Sequence, residues 1–500
     1  MAGMKGLVKD TAIYGLSSIV GRFLNWCLVP LYTNVFTQGE YGVVTNIYAY
    51  VAVTLVILIY GLETGFFRFA NHEKYNDPDL VYTTGLTSLA VSSSAFFIAI
   101  LLFLHPIAGA LGCGSHPEFI WIMALTVAID AFTSLPFAYL RYQKRAWRFA
   151  LIKLLSIAIN IGMNLFFILL CPVIYRHHPA WIEWFYDPTW GVGYIFAANL
   201  ISSAIVLLAL TPEIFRRYRF NAEIWKRMLV YSYPILILGV AGIMNQSIDK
   251  ILFPFLIPGE EGVAQLGIYG ANYKIAIIMV MFTQAFRFAY EPFIFEKHKK
   301  SGGDSLSVYS EAMKYFIIFG LFIFLGVMFY LDILKYFIGQ AFFSGLAVVP
   351  IVMLAELFFG IFFNLSLWYK LTDRTIWGAY FSLFGCAITV SINILFVPRF
   401  GYMASAWAAF TSYLAMMLAS YFIGQRKFPI RYDLRSALRY SLLTAVLYLA
   451  AVYIEIGTVF QETSPFGEVI VADIFFLILL GNDREHEMKV RVGQLVILQA

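Results

Sequence analysis

The chain has 500 residues, of which 61% are hydrophobic and only 13% charged, and its formal net charge is +5. A charged fraction this small cannot cover the surface of a water-soluble protein of this length. The composition therefore excludes a soluble enzyme and indicates an all-α membrane protein. The excess positive charge lies in loops, where it faces anionic lipid headgroups. Membrane lipids are therefore expected partners, and nucleic acid is not.

In chain order, about fourteen apolar stretches predict transmembrane helices. They run over residues 7–32, 43–66, 81–104, 119–140, 149–171, 191–210, 229–257, 264–290, 312–330, 346–369, 376–397, 402–424, 436–456 and 466–480. A helix needs ~20 residues to cross a ~30 Å hydrocarbon core, so all but the last are long enough. The fourteenth span is short and contains Asp473, which leaves open whether it crosses the membrane.

The loops between these spans show a strong asymmetry of charge. If the N-terminus is cytoplasmic, 26 lysines and arginines lie in the termini and even-numbered loops. The odd-numbered loops hold three, namely Arg176, Lys335 and Arg399. Because basic loops stay on the cytoplasmic side during insertion, we predict that both termini are cytoplasmic.

A weak internal repeat predicts two similar halves. A shift of 225 residues lays residues 41–48 over 266–273, and a shift of 229 lays residues 163–167 over 392–396. The matches keep their order and their place within the spans, which favours two six-helix lobes related by pseudo-two-fold symmetry. The predicted domains are residues 1–220, residues 221–428, and a C-terminal helix pair with a tail over 429–500.

Charged residues inside the spans favour a transporter over an inert bundle, because each costs at least ~2.5–3.5 kcal/mol at a helix centre unless it has a partner or a cavity. Arg22 lies near the midplane of the first span and either faces a cavity or bridges helix carbonyls. Asp249, Lys250 and Lys274 lie at a similar depth on spans seven and eight. Adjacent helix residues do not face each other, so we expect Asp249 to pair with Lys274 rather than with Lys250.

Two further acids occupy related positions in the two halves. Asp130 in span four and Glu356 in span ten are 226 residues apart, close to the repeat shift. Two mid-span acids at related positions favour a cavity or an ion-binding site over simple packing. Asp130, Glu356 and Asp249 are therefore candidates for coupling transport to H⁺ or Na⁺.

The sequence has no sign of hydrolytic or metal chemistry. It has no His-Glu-x-x-His pair, no Cys-x-x-Cys pair and no phosphate-binding Gly-x-x-x-x-Gly-Lys motif, so we expect no cofactor and no metal site. Asp77-Pro78-Asp79 is similar to a metal-nucleotide motif of glycosyltransferases, but its short loop favours an ordinary turn.

Several short motifs together resemble the polysaccharide biosynthesis proteins, the O-antigen (Wzx-type) flippases. The motifs are Gly21-Arg22-Phe23-Leu24, Val29-Pro30-Leu31-Tyr32, Gly39-Glu40-Tyr41-Gly42, Gly61-Leu62-Glu63-Thr64, Phe67-Arg68, Ser232-Tyr233-Pro234, Asp249-Lys250, Leu266-Gly267-Ile268-Tyr269 and Tyr273-Lys274. The resemblance covers about residues 5–430. Such relatives often have Asp-Arg where this chain has Asp249-Lys250, so the bidentate guanidinium is lost there.

The resemblance implies the fold of the multidrug/oligosaccharidyl-lipid/polysaccharide (MOP) exporters, in which two six-helix lobes enclose a central cavity. It also implies a non-enzymatic flippase in the bacterial inner membrane that moves undecaprenyl-diphosphate-linked oligosaccharide to the outer leaflet. Polysaccharide polymerases or glycosyltransferases would be its protein partners. The expected substrate-binding residues are Arg22, Asn25, Lys250, Asn272 and Lys274, with Asn46, Gln246 and Gln284 supplying further polarity.

Three other classes remain open on the sequence alone. A cation-coupled drug or metabolite exporter of the same fold would need fewer cavity cations and a stronger acidic site. An integral-membrane transferase or polymerase would normally have a large loop with catalytic side chains. A purely structural membrane protein would not need so many mid-span charges.

Overall fold

A computed structural model describes residues 20–71, 77–215, 218–301, 306–372 and 374–459, and these residues form helices and connecting turns without a strand. Residues 20–26 are helical and, with helix α1, Val29–Val35, make up the described part of the first predicted span. The long helices that follow are α2 Gln38–Ile59, α3 Pro78–Leu102, α4 Glu118–Tyr142, α5 Ala146–Leu165, α6 Gly193–Ala209, α7 Ala222–Leu256, α8 Glu260–Ser301, α9 Leu306–Phe329, α10 Val348–Leu365, α11 Ile376–Phe400, α12 Tyr402–Lys427 and α13 Leu434–Val459.

Short helices connect or extend the long ones. A π-helical turn, Phe166–Leu170, joins α5 to the helix Cys171–His177. The remaining short helices are Leu62–Ala70, Leu104–Ala110, Pro179–Ile182, Pro188–Trp190, Thr211–Ile214, Leu331–Leu334, Lys335–Phe337, Gln340–Gly345 and Leu367–Leu371.

Ten helical segments of the described chain are long and apolar enough to cross a membrane, and Gly193–Ala209 is a shorter apolar helix. The protein is therefore a multi-pass membrane protein. Predicted spans two to thirteen each fall on one of α2–α13. The span 466–480 and residues 7–19 lie outside the described residues, so the count of fourteen stays a prediction.

Local sequence explains where several helices begin. The Thr37 hydroxyl and the Glu40 carboxylate cap each other's backbone N–H groups at the start of α2, with the Thr37 N–H donating to Glu40 at 2.8 Å. Asp77 caps α3 by accepting from the Leu80 N–H at 3.0 Å, with Pro78 in the first turn. The Asp77-Pro78-Asp79 motif is thus a helix start.

Helix packing in the second half repeats that in the first. Helix α4 packs against α2, α3 and α6, and α5 packs against α6. In the second half α10 packs against α8, α9 and α12, and α11 packs against α12, while α13 packs against α9. The domain boundaries at residues 220/221 and 428/429 remain predictions.

The two halves meet where α2 crosses α8, and glycines make this crossing close. A Cβ on Gly42 would overlap the Val263 carbonyl, and a Cβ on Gly267 would overlap the Gln38 carbonyl. The repeat shift of 225 relates Gly42 to Gly267 and Gln38 to Val263. The two contacts are thus one contact made twice, which places a local pseudo-two-fold axis at the crossing.

Candidate functional site

Beyond this crossing, the two halves enclose a cavity of about 590 Å³, called here the central cavity. Its walls come from residues 25–32, from α2 in the first half, and from α7, α8 and α10 in the second half, with Asn160 of α5 and Asn199 of α6 at one side. A cavity of this volume lies in the usual range for small-molecule sites, ~300–1,000 Å³. Both polar and apolar side chains line it.

Lys250 of α7 lines the central cavity, but its ammonium is engaged by its own helix. It donates to both Asp249 carboxylate oxygens at 3.1 Å and to the Gln246 carbonyl at 3.0 Å. The expectation that Asp249 pairs with Lys274 was therefore wrong. The long, flexible lysine stem lets the ammonium fold back to its sequence neighbour, which a comparison of Cα directions does not capture.

Asp249 is almost completely buried behind Lys250, with its side chain 5% exposed. The Tyr269 hydroxyl donates to its carboxylate at 2.8 Å. Because the carboxylate has both an ammonium and a hydroxyl partner, it is a satisfied buried acid. The structure places it beside the central cavity rather than on its wall.

Lys274 of α8 lines the central cavity, and among the described residues its ammonium has no hydrogen-bond or ion-pair partner. Its main-chain carbonyl accepts from the Trp26 indole at 2.6 Å, which ties α8 to the first half. The like charges of Lys250 and Lys274 repel each other. An anion between them would relieve that repulsion.

A second cationic pair lies further along the same cavity. Arg22 donates through Nη1 to the amide oxygen of Gln284, whose side chain lines the central cavity. Arg287, one helical turn along α8, also lines it, and its like charge repels that of Arg22. Arg22 thus lies beside the central cavity, outside the residues that line it, and its hydrogen bond goes to an amide side chain instead of a helix carbonyl.

The two related mid-span acids lie in different cavities. Glu356 of α10 lines the central cavity and accepts a hydrogen bond from the Tyr273 hydroxyl. Asp130 of α4 lines a neighbouring cavity within the first half and accepts from the Ser203 hydroxyl at 2.7 Å. Their role in coupling remains a prediction.

The predicted amides divide into two groups. Asn25, Gln246 and Gln284 line the central cavity. The Asn272 amide is fully buried away from it and donates to the Ile268 and Phe342 carbonyls, both at 2.9 Å. Asn46 likewise donates to the Lys250 carbonyl at 2.9 Å. The structure thus gives Asn272 and Asn46 helix-packing contacts instead of a place on the cavity wall.

Sequence reasoning missed several wall residues. Arg287 and Lys153 lie near the predicted span ends, where long basic side chains usually extend to the membrane interface, yet they line the central and neighbouring cavities respectively. Asn160, which donates to Asn199 at 3.1 Å, was also missed, and Asn199 donates to the Tyr48 hydroxyl at 2.7 Å. The recurrence of amides inside apolar spans was the available signal.

Neither the protein-family models nor the curated protein sequences give a match to this chain. Solved structures, in contrast, do match this chain. The lipid II flippase MurJ in its inward closed conformation superposes with a TM-score of 0.72 at 13% identity, covering 93% of this chain and 97% of that one. An inward-facing multidrug resistance MATE family transporter of the MOP superfamily gives 0.65 at 14%, covering 81% and 94%.

An outward-facing structure of a MATE family transporter of the MOP superfamily superposes with a TM-score of 0.58 at 14% identity, covering 84% of this chain and 95% of that one. At identities this low, the superpositions establish similarity of fold and nothing more. With its crossing of two similar halves around a central cavity, the chain has the fold of the multidrug/oligosaccharidyl-lipid/polysaccharide exporter superfamily.

Proposed function

We propose that the protein is a flippase that moves an undecaprenyl-diphosphate-linked oligosaccharide across the bacterial inner membrane for surface polysaccharide synthesis. The observation that carries the proposal is the pairing of like charges at the central cavity, with Lys250, Lys274 and Arg287 on its wall and Arg22 beside it. Arg22 repels Arg287, and Lys250 repels Lys274. A diphosphate lying between these side chains would attract all of them, and such attraction is strong in a medium of low dielectric constant.

The four cations would have different tasks. Lys274 has no partner among the described residues, so it can bind a phosphate oxygen without first giving up a contact. Lys250 would have to leave Asp249, and Arg22 would have to leave Gln284. We therefore infer that Lys274 supplies the first contact to the diphosphate and that the others follow as the halves move about the α2–α8 crossing.

Coupling to H⁺ or Na⁺ belongs to the same proposal. Glu356 is the acid on the cavity wall, and its carboxylate is held by Tyr273 near Lys250. An acid that exchanges a proton or a cation there would change the charge balance of the site during the cycle. Cytoplasmic termini and contacts with polysaccharide polymerases or glycosyltransferases complete the proposed setting.

The test is transport in proteoliposomes that contain a fluorescent polyprenyl-diphosphate-linked oligosaccharide. Lys274→Gln should slow flipping at least tenfold, because a charge-assisted contact is worth ~1.5–3 kcal/mol. Lys226→Gln is the matched control, since Lys226 is an exposed lysine of α7 outside the central cavity. Wild-type flipping by a well-folded Arg22→Ala/Lys274→Ala double variant would contradict the proposal.

A cation-coupled drug or metabolite exporter is the second candidate, favoured by Glu356 and the aromatic side chains Tyr273 and Phe359 on the same wall. The two candidates differ in the charge of their substrates. Efflux of a lipophilic cationic dye from the same vesicles, lost in Glu356→Gln and unaffected by Lys274→Gln, would favour the exporter.

A further inference from the structure

A second cavity of about 410 Å³ lies entirely within the first half, between α4, α5 and α6 and close to α2, and we call it the side chamber. Asp130, Lys153 and Ser203 line it together with the pair of Glu63 and Arg141. None of these residues lines the central cavity. The proposed diphosphate site therefore leaves the side chamber without a function.

Positive and negative charges balance in the side chamber. Arg141 and Glu63 form an ion pair of 2.6 Å at one end. Deeper in, the Asp130 carboxyl and the Lys153 amine lie near enough to attract each other when charged, without forming an ion pair within 4 Å. The Lys153 ammonium lies 4.1 Å from the centre of the Phe137 ring. The central cavity has more cations than acids on its wall, so the two cavities suit ligands of different charge.

The chamber wall also presents hydrogen-bonding groups of both kinds. The Ser156 and Ser202 hydroxyls lie 3.0 Å apart, and Ser203 donates to only one oxygen of Asp130. The buried Nε of Arg141 has no hydrogen-bond partner. Alternating donors and acceptors at a carboxylate, an ammonium and hydroxyls are what a polyhydroxylated ligand needs, because each sugar hydroxyl both donates and accepts.

The two cavities share part of their walls. Asn25, Asn160 and Asn199 line both of them, so the side chamber meets the central cavity at a row of amides. A single ligand with an anionic part and a neutral polyhydroxylated part could occupy both. We propose that the side chamber binds the sugar units next to the diphosphate while the central cavity holds the diphosphate itself.

This inference rests on the proposed function and assigns the glycan a place of its own. Each sugar would exchange hydrogen bonds with water for those with Asp130, Lys153, Ser203 and the shared amides. Desolvating these chamber groups is costly unless the ligand replaces the bonds to water. The side chamber would therefore select for a glycan, whereas the central cavity would accept any polyprenyl diphosphate.

The experiment measures equilibrium binding to the full-length protein in lipid nanodiscs. The probes are a polyprenyl diphosphate without sugar and the same lipid carrying a neutral disaccharide. Lys153→Gln should weaken binding of the glycosylated probe at least tenfold and change binding of the bare diphosphate less than twofold. Lys144→Gln, in the exposed turn between α4 and α5, is the matched control and should change neither.

A central-cavity variant separates the two proposals. Lys274→Gln should weaken both probes alike, because both contain the diphosphate. If the unsubstituted protein binds neither probe, the proposed function and the side chamber both fail. If the protein binds both probes and Lys153→Gln weakens them equally or not at all, only the glycan assignment is overturned.

Asp130→Asn distinguishes glycan binding from the coupling role predicted for this acid, and Ser203→Ala gives a milder change should the charge substitutions impair folding. If both variants bind the glycosylated probe more weakly and the bare diphosphate as before, the assignment of the glycan to the side chamber is supported. Unchanged binding of both probes with loss of flipping in Asp130→Asn would make Asp130 a coupling residue and overturn the assignment.

Discussion

The α2–α8 crossing allows a sharp test of how the halves separate. In Gly42→Ala, the added methyl group would overlap the Val263 carbonyl of α8, which is backbone and cannot rotate away. Overpacking of this kind costs ~1–3 kcal/mol. Since 1–3 kcal/mol corresponds to a ~5–150-fold change in a two-state equilibrium, we expect Gly42→Ala to shift the protein toward states in which α2 and α8 separate at this end.

Gly39→Ala is the matched control on the same helix. A Cβ at Gly39 meets nothing within 4 Å, so the substitution should leave the crossing unchanged. Both alanines gain the same helix propensity, up to ~1 kcal/mol. The difference between the two variants therefore measures the contact with Val263.

The assay is electron–electron double resonance between spin labels on the two halves. Labels at Glu183→Cys and Glu260→Cys, both exposed, would be placed in a protein whose four native cysteines are replaced. Gly42→Ala should add or enlarge a population at longer distance, and Gly39→Ala should reproduce the parent distribution. Identical distributions in the two alanine variants would refute the view that this contact determines how readily α2 and α8 separate.

Three further predictions follow from particular contacts. Tyr273→Phe removes the hydroxyl that donates to Glu356. Turnover in vesicles should fall about tenfold, as expected for a lost hydrogen bond to a charged group, and substrate affinity should change less. Unchanged turnover would show that this contact has no part in the transport cycle. Glu213→Gln weakens the 3.0 Å contact of Arg148 with a carboxylate that is only 2% exposed, and should cost ~1.5–3 kcal/mol by thermal unfolding in detergent. The exposed i,i+4 pair of Glu223 with Arg227 is its control, since Glu223→Gln should cost only ~0.3–0.5 kcal/mol, and equal losses would argue against burial as the cause. Cysteines introduced at His116, Trp184 and Glu260 should be labelled from outside the membrane, and those at Lys144, Arg217 and Lys299 from inside. Reversal at any two of these positions would exclude cytoplasmic termini.

Hydropathy predicted which segments form helices but not where the helices end. Span eight was predicted over residues 264–290, whereas α8 runs from Glu260 to Ser301, 42 residues or roughly 63 Å at 1.5 Å per residue. Apolar length reports only the part of a helix suited to hydrocarbon. Beyond that part, helix propensity and capping residues determine where a helix begins and ends, as the reciprocal caps of Thr37 and Glu40 do at the start of α2.

Side-chain placement was less predictable because it depends on helix rotation and on which neighbour packs where. Arg287 and Lys153 lie near the ends of predicted spans, a position typical of side chains that reach the membrane interface, yet both lie on cavity walls. Asn272 lies one position from a wall residue, Tyr273, and is turned into the packing between helices. Rotating the helix by one residue about its axis exchanges the cavity wall for the helix interface. The amino-acid sequence of one protein does not determine that rotation.

The repeat allows the α5 wall of the side chamber to be compared with the corresponding part of the second half. The shift of 229 relates Lys153, Ser156 and Asn160 of α5 to Ser382, Gly385 and Thr389 of α11. The structural correspondence is close, since Asn164 and its counterpart Asn393 each donate to the carbonyl four residues earlier, both at 2.7 Å.

At Gly385, however, the place of the Ser156 side chain is taken by Asn245 and Met416, which pack directly against the glycine. Asn245 is held there by Ser412 at 3.3 Å and by Thr389 at 3.5 Å. At Gly385 the second half therefore has packed side chains where the corresponding residue of the first half, Ser156, lines the side chamber. Two halves that share one backbone plan can thus meet symmetrically at the α2–α8 crossing and still present different side chains beside the central cavity. A ligand bound across that cavity would therefore be held in one orientation. A headgroup that is anionic at one end and polyhydroxylated at the other is the kind of ligand for which such a one-sided site is useful.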